Sequence, residues 1–320
     1  MAQKLKRTTT VLFPFLLLLS IGIALVKNDS SATAQGQSDG SFVHYEEFSS
    51  DYIEPRPIDV WLPPGYEINL DQSYPVVYMH DGQLVFKKKT SPYSRFWYKP
   101  FDWYVDGLFW EADIIMSRLI HQGRIRPAIL VSIWFKKGNR AIEFMPQKPI
   151  IAVPHPMWSI DDSKYVAGDI ISDRYLKFLV EELKPFVDQN YRTSPDMENT
   201  FIMGSSMGGL ISAYAISEYP DVFGAAACLS TDWTHGDGAE IKWYEKQWPK
   251  AGSHRLYFDF GTETWDAPFE PYQKKMDIVM RQHGYTEGVD WITKKFEGAD
   301  HTPRAWRERL HFPLAFMLGY

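Results

Sequence analysis

Asn199-Thr200-Phe201-Ile202-Met203-Gly204-Ser205-Ser206-Met207-Gly208-Gly209-Leu210-Ile211 is the stretch that decides the fold. A short apolar run of strand type leads into G-x-S-x-G at Gly204 to Gly208. A helical pattern follows and stops before Pro220. Strand, sharp turn and helix are the context in which this motif is a nucleophile elbow. The turn lifts a serine hydroxyl off the sheet and leaves amide N–H groups open at the helix start. Strand and helix nearly touch there, which calls for the small residues Gly204, Gly208 and Gly209. The spacing selects Ser206 as nucleophile rather than its neighbour Ser205.

Outward from this turn the chain alternates strand and helix signals. Apolar strands are expected at Ile58 to Leu62, Pro75 to Met79, Ala128 to Trp134, Thr200 to Met203, Ala225 to Leu229, Leu256 to Phe260 and Trp291 to Phe296. Helical spacing runs through Tyr175, Phe178, Leu179, Leu183, Phe186 and Val187, with Pro185 expected to kink or interrupt it. Tyr272, Met276, Val279 and Met280 form a second helical face, and a last helix covers roughly Pro303 to Leu318, bent by Pro313. Continuous apolar strands separated by helices imply an α/β fold, with a mostly parallel central sheet and helices on both faces.

The ends and insertions divide the chain further. Residues 1–34 read as a secretory signal: Lys4, Lys6 and Arg7 precede an apolar run from Val11 to Val26, and Ala32-Thr33-Ala34 supplies an A-x-A cleavage site. The run is short of the ~20 residues that span a bilayer comfortably. Pro14 interrupts it. Export by cleavage after Ala34, to the exterior or a periplasm, is therefore expected over a retained membrane anchor. Residues 35–50 are rich in Ser, Gly and Gln and read as a linker or frayed start, leaving 51–320 as one domain. Segments 86–110 and 134–168 are insertions rich in Trp, Tyr, Phe and Pro, including Phe96-Trp97-Tyr98, Trp103-Tyr104 and Met157-Trp158. They are read as binding loops or as packing onto the body in equal measure.

Charge and cysteine content exclude other classes. Removing residues 1–34 takes away four basic residues (Lys4, Lys6, Arg7, Lys27) and one acidic residue (Asp29), so the formal charge moves from −6 to −9. No long basic run remains for nucleic acid; Lys87-Lys88-Lys89 reads as a solvated loop. The single cysteine, Cys228, precludes an intramolecular disulfide and reads as a small apolar filler in a buried strand. There is no H-E-x-x-H, C-x-x-C or P-loop motif, so neither a metal nor any other cofactor is expected.

A serine nucleophile needs a base, and the base needs an orienting acid. In α/β-hydrolases these follow the serine in the order acid, then histidine. His301 fits best, in the loop Glu297 to Pro303 just past the last apolar strand. His235 is second; His283 and His311 fall in helical patterns, and His254 precedes its strand. For the acid, Asp266 comes first and Glu263 close behind, both just past Leu256 to Phe260, and spacing does not separate them. Asp259 lies within the strand and Glu270 at a helix start. The oxyanion needs two N–H donors: Met207, the residue after the nucleophile, and Gln83 in His80-Asp81-Gly82-Gln83. His80 and Asp81 are read as supporting that loop.

The residues Tyr74 to Gln83, Gly204 to Gly209, Leu229-Ser230-Thr231-Asp232-Trp233, Gly261 to Asp266 and Gly298 to His301 resemble the putative esterase family of α/β-hydrolases. This family includes esterase D, feruloyl esterases, enterobactin esterases and mycolyl acyltransferases. The resemblance spans residues 58 to 318 and implies a triad of Ser206, Asp266 or Glu263, and His301, with an oxyanion hole at Met207 and Gln83. Two positions depart from it. Thr264 stands where many relatives carry an acid-loop Asp, and Asp232 where close relatives carry the His of Ser-Thr-His-Trp. The expected activity is hydrolysis of a small-molecule or carbohydrate-linked carboxylic ester through an acyl-enzyme. The alternatives are acyl transfer to an alcohol or sugar, and a non-catalytic binding protein on a hydrolase scaffold.

Overall fold

Period-two alternation in the strands builds the sheet, and each strand sends its side chains to two different cores. In the computed structural model, which describes residues 25–27, 39–86, 108–152, 158–160, 163–165 and 167–320, Ile58, Val60, Val131, Ile202, Cys228 and Phe258 face one apolar core. Their strand neighbours Trp61, Leu130, Phe201, Met203, Ala227 and Tyr257 face the other. The described strands are β1 (Leu25–Lys27), β2 (Ser41–Phe48), β3 (Arg56–Leu62), β4 (Val76–Met79), β5 (Ile129–Ile133), β6 (Trp158–Ile160), β7 (Ser163–Tyr165), β8 (Thr200–Ser205), β9 (Ala225–Leu229), β10 (Arg255–Gly261) and β11 (Trp291–Phe296). Nine of them form one sheet in the order β1-β2-β3-β5-β4-β8-β9-β10-β11. From β5 to β11 all neighbours are parallel; β1, β2 and β3 join antiparallel at one edge. This is the doubly covered α/β sheet expected from the sequence.

Helices cover both faces. One face carries α2 (Arg140–Phe144), α3 (Gln147–Ala152), α4 (Ser172–Lys177), α5 (Lys184–Asn190), α6 (Met207–Glu218), α7 (Ala239–Gln247) and α8 (Phe269–Gln282). The other carries α1 (Ala112–His121), α9 (Pro303–Arg309) and α10 (His311–Leu318). A π-helical segment, Phe178–Leu183, joins α4 to α5. Widening the helix there lets Pro185 sit in the first turn of α5, where its missing N–H costs no bond. The C-terminal helix is broken at Leu310, three residues before Pro313.

Two readings change. Ser41–Phe48, inside the stretch read as a linker, is an eight-residue strand that pairs β3 from Ser41 to Phe48. Its half-buried pattern, and the Ser/Gly/Gln bias of the residues just before it, hid it from composition. The second insertion is not irregular where described: it holds α2, α3 and the hairpin β6–β7. Residues 87–107, with Lys87 to Lys89, Phe96 to Tyr98, Trp103 and Tyr104, lie outside the described residues, as does Met157. So does the stretch 1–34 read from the sequence as a signal, apart from Leu25–Lys27. Among the described residues no helix is long and apolar enough to cross a membrane.

A buried ion pair ties the second insertion to the sheet. Arg56 of β3 donates from Nη2 to Glu143 Oε1 at 2.7 Å and from Nη1 to Oε2 at 2.8 Å. Both side chains are almost completely buried, and the guanidinium lies against the rings of Tyr175 and Phe178. Removing one partner strands a charge. We therefore expect Glu143→Ala to cost about 3–5 kcal/mol of stability, read as a lowered urea midpoint with unchanged slope.

Candidate active site

Every sequence-selected residue sits at the C-terminal edge of the parallel strands, where open α/β sheets bind ligands. β4 runs into His80 to Gln83, β8 into Ser206, β9 into Ser230, β10 into Gly261 to Asp266, and β11 into Gly298 to His301. Ser206 has φ 57° and ψ −123°, a left-handed conformation costly for a side chain bearing Cβ. Its N–H donates to Leu229 O at 2.9 Å, and its carbonyl accepts from Gly209 and Leu210. The glycines make this turn possible: a Cβ on Gly204 would stand 2.7 Å from Gly208 O, and one on Gly209 would stand 2.6 Å from Thr231 Oγ1. Ser206 is buried but for its rim (9% exposed), and Ser205 lies within the strand.

The proposed oxyanion donors come from two segments in contact. Met207 N–H is the first amide of α6, with no earlier helical carbonyl to donate to. The loop after β4 packs on the next residue, Gly208, whose Cβ would lie 3.3 Å from Asp81 Oδ2 and 3.5 Å from His80 Cβ. Asp81 takes a left-handed turn and is held by Arg140, with Nε to Oδ1 at 2.6 Å and Nη2 to Oδ2 at 2.8 Å. Gln83 is buried in the following 3-10 turn, its Oε1 accepting from Phe135 N at 3.3 Å. His80 packs against Tyr175, with Nδ1 2.9 Å from its hydroxyl oxygen. Burial pushes its pKa down to about 3, so it stays neutral. His80 and Asp81 thus hold the loop.

His301 and Asp266 meet. His301 Nδ1 donates to Asp266 Oδ1 at 2.5 Å, and His301 N donates to Thr264 Oγ1 at 2.9 Å. Asp266 Oδ2 accepts from Gly261 N at 2.6 Å and Ser230 Oγ at 2.5 Å. Burial works to raise the Asp266 pKa, but the hydrogen bonds from His301 and Ser230 and the charge of His301 outweigh it and hold the carboxyl below its ordinary range. Three aromatic rings surround His301: Trp306 at 5.0 Å, Trp265 at 5.7 Å and Phe269 at 5.8 Å between centroids. Trp306 stacks in turn on Trp110, so the end of the first insertion packs onto the body. Trp265 alone of the three rings around His301 is well exposed. No direct hydrogen bond joins Ser206 Oγ to His301 among the described residues. This contact commonly tightens only when substrate binds.

The other candidates take other partners. Glu263 is exposed, and its Oε1 accepts only a long bond from Thr262. His235 pairs with Asp232 at 3.0 Å. His254 bonds Pro220 O at the opposite end of the sheet, His283 bonds Glu245 O, and His311 packs on Phe312. Among the described residues, no group of three or more His, Cys, Asp or Glu converges as metal ligands do.

The sequence reading missed the support behind Asp266. Trp306 Nε1 donates to Ser230 Oγ at 3.0 Å and Arg309 Nη2 donates to it at 2.6 Å. Arg309 also pairs with Asp259 Oδ1 at 3.0 Å, both side chains buried. Burial pushes the Asp259 pKa up to about 6 against the pull of Arg309. A polar Ser230 directly after the wholly apolar β9 was the one available signal; Arg309 gave none.

Gly261 is the backbone position on which this arrangement turns. A Cβ there would stand 2.2 Å from Ala299 O and 2.9 Å from Asp266 Oδ2. We expect Gly261→Ala to displace the carboxyl and the His301 loop together. Ester turnover should fall about 100-fold, as for a displacement near 1 Å, while circular dichroism stays native.

Known proteins share this fold and family. The family model described as "Putative esterase" matches residues 49–316. An endo-1,4-beta-xylanase/feruloyl esterase of Xylanibacter ruminicola is 27% identical over 180 residues, covering 54% of this chain and 19% of that protein. The chain thus spans about a fifth of that relative. Among solved structures, the ferulic acid esterase of the anaerobic fungus Anaeromyces mucronatus superposes with TM-score 0.61 at 19% identity, covering 91% of this chain and 95% of that one. The enterobactin esterase of Shigella flexneri gives 0.57 at 19% identity, covering 85% and 57%. With a family model matched over most of its length and this sheet beneath the match, the chain belongs to the putative esterase family and is a carboxylic-ester hydrolase of the α/β-hydrolase fold.

Proposed function

We propose that this esterase works through an acyl-enzyme on Ser206. The observation that carries the reading is the 2.5 Å contact between His301 Nδ1 and Asp266 Oδ1, at the same sheet edge as the left-handed turn at Ser206. Asp266 fixes the tautomer: with the proton on Nδ1, His301 presents Nε2 as the base. Ser206 Oγ attacks the ester carbonyl as Nε2 takes its proton. The oxyanion is met by the N–H groups of Met207 and Gln83. His301 then protonates the leaving alcohol, and water, deprotonated by the same nitrogen, attacks the acyl-enzyme and frees the acid. Aromatic rings on three sides of His301 keep water from competing for the imidazole.

The relatives' names set where a substrate screen begins, with feruloyl esters and enterobactin. We also infer export, with removal of residues 1–34. The charged start, apolar run and A-x-A site support it. Cleavage after Ala34 would remove β1 and leave β2 as the sheet edge.

A fluorophosphonate probe is expected to label the wild-type protein on Ser206, and Ser206→Ala to abolish labelling. An unlabelled but folded wild type would sink the mechanism. Asp266→Asn should lower kcat about 10,000-fold, the scale of losing the tautomer lock. Glu263→Gln should stay within about twofold, as expected of an exposed side chain outside the site. A large loss in Glu263→Gln with Asp266→Asn near wild type would reverse the assignment of the acid. Edman sequencing of exported protein is expected to begin at Gln35.

A further inference from the structure

Ser230 lies under Asp266 with its hydroxyl fully committed. A serine hydroxyl has one proton to give and two lone pairs to receive. Trp306 Nε1–H and Arg309 Nη2–H can only donate, and both donate to Ser230 Oγ, at 3.0 Å and 2.6 Å. Both lone pairs are therefore filled, and the one proton goes to Asp266 Oδ2 at 2.5 Å. Gly261 N–H points at the same oxygen from 2.6 Å. A proton on Oδ2 would have no lone pair to meet and would face two donors.

The backbone holds this hydroxyl in place. Ser230 has φ 39°, a left-handed value rare for a residue with Cβ. Its N–H is fixed by Asp259 O at 2.8 Å and Asp259 Oδ1 at 3.1 Å. Asp259 in turn anchors Arg309 at 3.0 Å, and its other oxygen accepts from Tyr257 at 3.1 Å. The second hydrogen of Arg309 Nη2 is thus spent on Asp259, and the arginine stays 3.9 Å from Asp266 Oδ2. Its charge reaches the carboxylate through the polarised hydroxyl rather than by direct pairing.

We propose that Ser230 is a positioning residue of the esterase, a one-way hydrogen-bond relay that keeps Asp266 ionised, turns Oδ1 toward His301 and moderates its basicity with the charge of Arg309. The proposal rests on the Ser206–His301–Asp266 reading. The charged and titratable groups around Asp266 are His301 from the loop after β11, Arg309 from α9, and Asp259 with Tyr257 from β10; Asp232, beyond β9, acts on His301. Of these, Arg309 is the one permanent cation, and Ser230 is its path.

The sign of the effect separates a relay from a spacer. Removing the hydroxyl takes a donor from Asp266, makes it a stronger base, and strengthens its hold on the imidazolium. The pH at which His301 gains its proton then rises. A mere packing defect would loosen the Asp266–His301 contact and move that pH downward, or leave it. The test follows the imidazole signals of full-length protein labelled with 15N-histidine, with the His301 signal identified by its loss in His301→Gln. Ser230→Ala is expected to raise the His301 titration by about 0.5–1 pH unit. The acid limb of kcat/KM should shift the same way, with kcat about tenfold lower and KM within about twofold. Trp306→Phe keeps a ring beside His301 but frees one lone pair of Ser230, and should shift the titration in the same direction by a smaller amount. It decides the matter alone if Ser230→Ala does not fold. An unmoved or lowered titration in the folded variants overturns the relay. The imidazole titration needs no turnover, so an inactive wild type would count against the hydrolase mechanism while this arm still decided the role of Ser230.

Discussion

The backbone of Ser206 is held where a serine does not rest by choice. A left-handed residue with Cβ costs on the order of 1–3 kcal/mol and persists only when its surroundings over-determine it. Here they do. The Ser206 N–H is tied to β9, its carbonyl is tied to two amides of α6, and Gly204 and Gly208 are in backbone contact. The helix that starts there is buried on all sides from Met207 to Ile216. Relaxing Ser206 would pull that helix off the sheet, so the strain is balanced by the core of the domain rather than by anything local. The same constraint brings the Met207 amide, Gly208 and the loop of Gln83 together, and the bare Gly208 leaves that loop room to pack close.

Much of this was legible in the sequence because it follows from periodicity and from glycine. The seven apolar runs form strands within a residue or two of their expected limits, and the elbow needed only its flanks to be read. Three things were not legible, each for a physical reason. β2 alternates only weakly and is half-buried, so composition outweighed pattern. Asp266 and Glu263 have equal claims by spacing. What divides them is Thr264, which takes φ 52° and throws Glu263 to solvent while Asp266 turns inward. A β-branched threonine is among the residues least expected at positive φ, so the sequence carried no sign of that turn. Arg309, finally, looks like any charged residue of a C-terminal helix until the fold folds it under β10.

The distribution of burial explains why polar residues collect at one edge. Along the strands both faces are filled by apolar side chains, so a charge there would be left without a partner. At the ends of the ladders and just past them, at Ser230, Gly261 and His301, backbone amides and turns become available to satisfy it. Asp259, one register position before Leu229 gives way to Ser230, marks the boundary. It is buried and raised, and is satisfied only through Arg309, the Ser230 amide and Tyr257. Asp266, past the end of β10, has ample donors and is lowered. Two aspartates a few residues apart are thus shifted in opposite directions: burial prevails at Asp259, while at Asp266 the hydrogen bonds from His301 and Ser230 and the charge of His301 outweigh it.

That difference has a consequence for the charge of the site. Above the Asp259 transition near pH 6, Asp259 and Asp266 are both anionic and share one guanidinium, Arg309. The cluster then carries one negative charge more than it can neutralise internally. In the proposed mechanism, His301 becomes an imidazolium when it takes the proton of Ser206, and the cluster reaches balance at that moment. The field is already in place before reaction, so no reorganisation is required to receive the new charge. Below that transition, protonation of Asp259 leaves Arg309 balanced against Asp266 alone, and the stabilising excess disappears. Linkage gives the two carboxyls opposite effects on folding: the raised Asp259 favours the native state as pH falls toward its unfolded value, while the lowered Asp266 contributes stability that is lost only at lower pH, as it falls through its native value. Protonation of the raised Asp259 therefore removes this charge excess while the lowered Asp266 still contributes to the fold, so kcat/KM is expected to fall on mild acidification while near-UV circular dichroism stays native.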